Sequence, residues 1–194
     1  ITNSSRSSPV ALNMHRSLKK SESMKKGYLL TLMAMVVAIG CNAQDEMIDR
    51  RTVTDFDLKR YMGRWYELAR YDHRFERNMV QCEAFYTLHP DGKVEVRNTG
   101  LDTTTGKPHT SIGKAKAGKH TGQLRVSFFL FFYSDYNILA LGPDYEWALV
   151  GSHSPKYLWI LSRTPSLPQT TLDHILNIAR HRGYDTTKLI WVEQ

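Results

Sequence analysis

The sequence predicts an all-β fold, an eight-stranded antiparallel up-and-down barrel with one C-terminal α-helix packed on its outside. Three observations carry that prediction. Eight short β-rich runs between residues 65 and 162 are separated by turn chemistry. A single stripe of helical period follows the last of them. The chain has 194 residues and only two Cys, enough length for one ordinary apolar core and too few thiols for a disulfide-built mini-protein.

Each element has its own reason. Residues 65–71 open the series at Trp65, and 80–88 follow, ending at the turn His89-Pro90-Asp91-Gly92. In 93–98, Val94 and Val96 alternate with charged residues; in 111–117, small residues alternate with lysines. In 124–129, Leu124, Val126 and Phe128 alternate with Arg125 and Ser127. Runs at 136–141, 147–151 and 157–162 complete the eight, and most connections are short and contain Gly, Pro, Asp or Ser. Pro168 can open the helix, Leu172, Ile175, Leu176 and Ala179 form its apolar stripe, and Gly183 stops it. That stripe must be covered, and the outer face of the sheet is the surface at hand. A short strand at 188–192 follows.

Eight meandering strands favour closure, because closure removes exposed edges. A barrel of that size holds one small ligand or is filled by its own side chains. A period of two places Cys82, Ala84, Tyr86 and Leu88 on the inward face with Leu124, Val126 and Phe128. Ala84, Gly113, Ala115 and Ala117 are small for a wall that must fill its own interior, which points to a cavity. A packed core with small residues facing large ones satisfies the same pattern.

Charge excludes other classes. The formal net charge is +7, but six of the 26 basic residues and only one of the 19 acids precede residue 41. The leader therefore carries +5 and the body +2, so no basic nucleic-acid-binding face is indicated. The sequence holds no His-Glu-x-x-His, no cysteine pair of zinc spacing and no Walker-type loop; neither metal nor cofactor is expected. Residues 1–23 begin on Ile, are Ser-rich and lack periodicity, as in an upstream over-translation or a disordered extension before Met24. Residues 24–40 read as a signal peptide: Met24-Lys25-Lys26, then an uncharged run to Gly40 that is shorter than the roughly 20 residues of a membrane span. Ala38-Ile39-Gly40-Cys41 resembles the lipobox of bacterial lipoproteins, with Ala38 where Leu is commoner. The resemblance implies a lipidated Cys41, a tether over 41–54 and a folded domain over 55–194, held at a membrane by more than one acyl chain.

The body carries more specific marks. Gly63-Arg64-Trp65-Tyr66-Glu67 resembles the opening signature of the lipocalins, and Arg163 in Leu161-Ser162-Arg163-Thr164-Pro165 resembles that family's second fixed point. Phe75-Glu76-Arg77-Asn78, Val126-Ser127-Phe128-Phe129, Tyr136-Asn137-Ile138-Leu139-Ala140-Leu141, Ala148-Leu149-Val150 and Tyr157-Leu158-Trp159-Ile160 are similar to the bacterial, apolipoprotein D-like branch. The likeness runs from about Phe56 to Val192. One element departs: the family's Thr-Asp-Tyr before the seventh strand stands here as Gly142-Pro143-Asp144-Tyr145, so less of its end-packing role is carried over.

The resemblance implies that Gly63, Trp65 and Arg163 close one end of the barrel, with the guanidinium across the indole contributing roughly 0.5–2 kcal/mol, and that Tyr61 helps. It implies a second, open end leading to a lumen lined by Glu67, Tyr86, Phe128, Tyr157 and Trp159. For Glu67 two placements stay open, inside the lumen or paired outside with Arg64 or Arg70. The implied ligands are fatty acids or lysophospholipids, since an acyl chain gains roughly 0.8 kcal/mol per buried CH₂ without polar recognition. The implied location is the outer membrane of a Gram-negative envelope, anchored through Cys41, with pairing into a homodimer open.

The run Phe128 to Tyr133 is too apolar for alternation to hide. Phe129, Leu130, Phe131 and Phe132 either meet a membrane at the rim or are covered by the helix or the 72–79 loop. Two further readings stay beside the carrier. A thiol-dependent lipid-modifying enzyme would use Cys82, for which no catalytic partner can be placed from sequence, so no catalytic residue is assigned. A haem- or tetrapyrrole-binding barrel is the other.

Overall fold

The structure, a computed structural model, describes residues 48–194. The signal peptide, Cys41 and the first part of the tether lie outside the described residues. Nine strands run in chain order: β1 (Gly63–Tyr71), β2 (Met79–Leu88), β3 (Val94–Asp102), β4 (Lys107–Ala117), β5 (Gln123–Ser127), β6 (Ser134–Leu141), β7 (Trp147–Gly151), β8 (Leu158–Ser162) and β9 (Leu189–Trp191). Helix α1 (Leu58–Tyr61) precedes them and α2 (Gln169–His181) lies between β8 and β9. Each strand pairs antiparallel with the next, β8 returns to β1, and β1–β2 pairing closes the eight-stranded barrel; β9 is added beside β1.

Closure makes two packing layers. Trp65, Tyr86, Val94, Val96, Ala115, Ile138, Ala148, Val150 and Leu161 face inward with Tyr61 and Tyr145 from the closed end. Leu139, Trp147, Leu149, Leu158 and Ile160 face outward and are covered by Ile175 and Ala179 of α2. The helix ends as the sequence suggests. Gly183, at φ +87°, donates to the Arg180 carbonyl and Tyr184 to the Ala179 carbonyl, a paired cap that needs the left-handed conformation.

Some strand bounds differ from the expected ones. β3 and β4 run on to a tight turn, because Asp102 accepts from the amides of Thr104 and Thr105 and the Gly106 amide returns to the Asp102 carbonyl. That extension is polar, so hydrophobic alternation could not reveal it. β5 is shorter than the expected 124–129. The Ser127 hydroxyl donates to the carbonyls of Phe129 and Leu130, and Leu130 takes φ +49°, which turns the chain out of the sheet. Residues 48–54, expected as tether, lie along the barrel: the Asp49 amide donates to the Arg182 carbonyl, and the Val53 amide to that of Ile138.

Three strands carry register shifts: β1 between Glu67 and Ala69, β2 between Val80 and Glu83, and β6 between Ile138 and Ala140. Each adds a residue and exchanges the faces beyond it. In β1 the inward set is therefore Trp65, Glu67 and Arg70 rather than every second residue.

Candidate ligand site

The meander sends the β1–β2, β3–β4, β5–β6 and β7–β8 connections to one end of the barrel and the rest, with α1, to the other. The second end is closed. Trp65 is fully buried and its Nε1 donates to the Tyr61 carbonyl at 2.8 Å. The Arg163 guanidinium lies 3.8 Å from the Trp65 ring centroid and donates to the carbonyls of Arg64 (2.6 Å), Arg60 (2.8 Å) and Tyr145 (3.2 Å). Gly63, at φ +92°, lets β1 begin beneath it. Tyr145, at φ +60°, belongs to this end despite its shifted motif: its hydroxyl accepts from the Asp57 amide, and Arg60 covers its ring.

Above the plug, three tyrosines satisfy one another. The Tyr61 and Tyr136 hydroxyls are 2.7 Å apart, and Tyr86 donates to Tyr136 at 3.0 Å. Burial pushes the Tyr86 phenol up to about 12, and holds the other two well above their ordinary range. Ala84, Val126, Tyr136 and Trp159 share the inward face yet are only partly buried. Exposure on that face, in the middle of a closed sheet, is what a lumen gives and a filled core does not.

Nearer the open end the lumen is polar. Glu67 is buried and accepts from Arg70 Nη1 at 2.7 Å. The pair lies inside because the β1 shift turns Arg70 inward. Arg70 also donates to the carbonyls of Glu76 and Met79, so it ties down the β1–β2 loop. From that loop His73 and Glu76 reach back. Trp159 Nε1 donates to Glu76 Oε2 at 3.2 Å, and His73 Nε2 lies 2.9 Å from the same oxygen without hydrogen-bond alignment. Burial and the Glu76 carboxylate raise the Glu67 carboxyl to about 8, against the opposing pull of Arg70. Burial and Glu67 likewise push the Cys82 thiol up to about 12. Cys82 is buried 3.9 Å from Arg70 Nη1, and its shift is opposite to what a nucleophilic thiol needs.

The structure thus gathers Glu67, Tyr86, Tyr157 and Trp159 on the lumenal side. Phe128 comes one residue past the end of β5, yet its ring still lies on the inward side of the wall, against Gly113, the partner of inward Val96. Because β5 stops at Ser127, Phe128 is 46% exposed at the mouth, its ring resting where a Cβ on Gly113 would otherwise stand. Phe129, Leu130, Phe131 and Phe132 are 68, 59, 73 and 65% exposed, so neither the helix nor the 72–79 loop covers them. Lys116 Nζ is 4.6 Å and Lys114 Nζ 6.0 Å from the adjoining Tyr133 ring. Arg70, His73, Glu76 and Tyr136 were missed as site residues. Arg70 needed the register shift, and a loop side chain folding inward leaves no periodic signal. Two cavities, of about 270 and 190 Å³, lie beside the 77–80 segment and β9 and beside the 89–95 turn.

A lipocalin-like domain model matches residues 56–194. This chain belongs to the lipocalin family. As a lipocalin it is 42% identical over 172 residues to outer membrane lipoprotein Blc of Escherichia coli K12, a match covering 86% of this chain and 97% of the relative. That share of the chain is more than residues 56–194 supply, so the likeness extends ahead of the barrel. Apolipoprotein D of Mus musculus is 36% identical, over 72% of this lipocalin and 78% of its own length. Among solved structures, insecticyanin of the tobacco hornworm Manduca sexta superposes with a TM-score of 0.64 at 21% identity, covering 75% of this chain and 85% of its own, and shows the shared fold. Lipocalins bind small hydrophobic ligands and are in general carriers rather than enzymes.

Proposed function

We propose that this lipocalin binds fatty acids or lysophospholipids at the outer membrane of a Gram-negative envelope, anchored through a lipidated Cys41 and loading its lumen from the bilayer surface. One observation carries the reading: apolar residues on the inward face of the closed sheet are only partly buried, and an uncovered apolar rim stands at the mouth. β4 continues as far as Lys107, whereas β5 stops opposite Lys114, so the wall is notched where the rim stands. Phe129 to Phe132 beside Lys114 and Lys116 match a membrane interface, apolar rings with cations at head-group level. The match of the relatives beyond the barrel supports the anchor, and the name of the bacterial relatives supports the location.

The lumen residues of this proposal are Glu67, Tyr86, Tyr157 and Trp159, with Phe128 at its lip. The test uses the full chain with Cys41→Ser, delipidated, and follows its four tryptophans during titration with a fatty acid and a lysophospholipid. Saturable quenching, reduced in Trp159→Ala, is expected. A folded chain that gives no saturable response to either lipid overturns the reading. For the rim, Leu130→Ser with Phe131→Ser is expected to lower sedimentation with vesicles several-fold at unchanged circular dichroism. Equal sedimentation would remove the membrane contact from the proposal.

A further inference from the structure

The barrel wall has a seam between β1 and β2 that the two strands do not close by themselves. They pair from Gly63 opposite Tyr86 to Tyr66 opposite Glu83 and no further. Beyond that point β9 takes over the edge of β1, with Ala69 opposite Trp191 and Tyr71 opposite Leu189. Among the described residues β9 does not pair in turn with β2. A cavity of about 270 Å³ stands between them, lined by Met79 and Val80 on one side and by Ile190, Trp191 and Val192 on the other. Arg70 forms part of that lining, and its Nη1 also meets Glu67 in the lumen. Cavity and lumen are thus back to back across one side chain.

Few contacts hold the seam. The Val192 amide donates to the Leu68 carbonyl at 3.0 Å, and the Gln81 amide to the Glu193 carbonyl at 2.6 Å. Gln81 stands at φ +50°, which a residue other than glycine adopts at a cost, and the bond to Glu193 helps to hold it there. The Gln194 side-chain amide then clasps both strands. It donates to the Glu67 carbonyl on β1 at 2.5 Å and to the Cys82 carbonyl on β2 at 3.3 Å. Little apolar burial backs these bonds, since β9 has three residues and Ile190 and Trp191 are 43 and 52% exposed. A segment held in this way opens at a small fraction of the global unfolding cost.

The mouth beside the seam is less free. Glu76 accepts from Trp159 Nε1 and lies 2.9 Å from His73 Nε2, and Arg70 ties the same loop down through the Glu76 and Met79 carbonyls. A lipid entering end-on must pass these buried polar groups. One entering through the seam lays its tail along Met79, Val80, Ile190 and Trp191 while its head group stays in water, so no charge is dehydrated on the way.

We infer that the β1–β2 seam is a side entrance to the lumen for single-chain lipids, and that residues 189–194 are the strap that closes it. The inference rests on the lipid-binding reading above and adds the route. Opening releases the Gln194 clasp and the Glu193 bond, parts β9 from β2 and joins the cavity to the lumen. The strap is closed both before and after loading. It therefore governs rates and not affinity, and loosening it speeds entry and exit by the same factor.

The experiment uses the full chain carrying Cys41→Ser, further altered by Gln194→Ala or ended at Val192, with palmitic acid and lysophosphatidylcholine as probes. Cys82, buried behind the clasp, reports opening through its rate of labelling by a thiol reagent. Stopped-flow tryptophan quenching reads uptake of each lipid, and its reversal on dilution reads release. Losing the two bonds of the clasp is expected to raise labelling, uptake and release each about tenfold, with affinity unchanged within about twofold. Faster release with unchanged uptake overturns the inference, because the strap would then be part of the bound lipid's contacts. Unchanged lipid rates beside faster labelling, or unchanged labelling in both variants, overturn it too. Each of these outcomes leaves lipid binding standing. No saturable binding of either lipid to the folded, otherwise unaltered chain overturns both. Gln194→Ala removes one side chain that belongs to neither apolar core, so the result does not depend on the shortened chain folding.

Discussion

Arg163→Ala tests whether one side chain closes the barrel. The guanidinium serves three backbone carbonyls, those of Arg64, Arg60 and Tyr145, and covers the Trp65 ring at 3.8 Å. The ring contact is worth about 1 kcal/mol at a site that water partly reaches. The carbonyls of Arg60 and Arg64 can be rehydrated, so each lost bond costs roughly 0.5–1 kcal/mol, below the nominal range for a charged donor. The part-buried Tyr145 carbonyl adds about 1 kcal/mol. The sum is about 3 kcal/mol, and for a domain of this size that lowers Tm by roughly 6–12 °C. Urea unfolding followed by near-ultraviolet circular dichroism, which sees Trp65 directly, supplies the measurement. Arg163→Lys keeps a charge over the ring but cannot span three carbonyls, so it should recover about half of the loss. A loss under about 0.5 kcal/mol in Arg163→Ala, or full recovery with lysine, would show that the fork of hydrogen bonds does not close this end.

Two further predictions come from the polar lumen. The Cys82 thiol, pushed up to about 12 by burial and by Glu67, should be nearly inert to a thiol reagent at pH 8 in the folded chain and react at an ordinary rate in urea; fast labelling of the folded chain would refute its protonated, buried state. Burial and the Glu76 carboxylate raise the Glu67 carboxyl to about 8 in the folded chain, well above the ordinary carboxylate range it has when unfolded, so the folded chain binds an extra proton between those limits. This group's contribution is therefore most favourable at low pH and is lost as pH rises from about 5 to about 8. Melting temperatures across that window should fall less in Glu67→Gln, and an equal slope in both proteins would refute the assignment.

What the sequence could reveal depended on periodicity. The eight strands, the outer helix and its stop at Gly183 follow from alternation, a helical stripe and one glycine, and each meets a matching cap or pairing. Trp65 and Arg163 were legible because the motif around each fixes its place in the family's barrel. Arg70 was not, since strict alternation sends it outward and only the extra residue at Leu68 brings it in. Phe128 keeps the inward side that alternation gives it, because its ring seats against Gly113 although β5 has already ended at Ser127. His73 and Glu76 belong to a loop whose course is set by hydrogen bonds from Arg70, and no pattern in residues 72–78 encodes those.

The two irregularities on β1 and β2 have a joint effect that neither has alone. Near the closed end the strands pair in register, from Gly63 opposite Tyr86 to Tyr66 opposite Glu83, and the inward residues there are apolar or phenolic. Beyond that pairing β1 shifts at Leu68 and β2 at Gln81, which takes φ +50°, and the two strands diverge. The divergence admits Arg70 to the interior and gives the β1–β2 loop room to bring Glu76 to Trp159. Charge is thereby confined to the mouth side of the lumen, while the hydroxyls below it are satisfied by one another and offer nothing unpaired to an apolar tail. Exchanging Tyr61, Tyr86 and Tyr136 for phenylalanine should therefore alter thermal stability more than lipid affinity, as melting curves and lipid titrations of the variants would read.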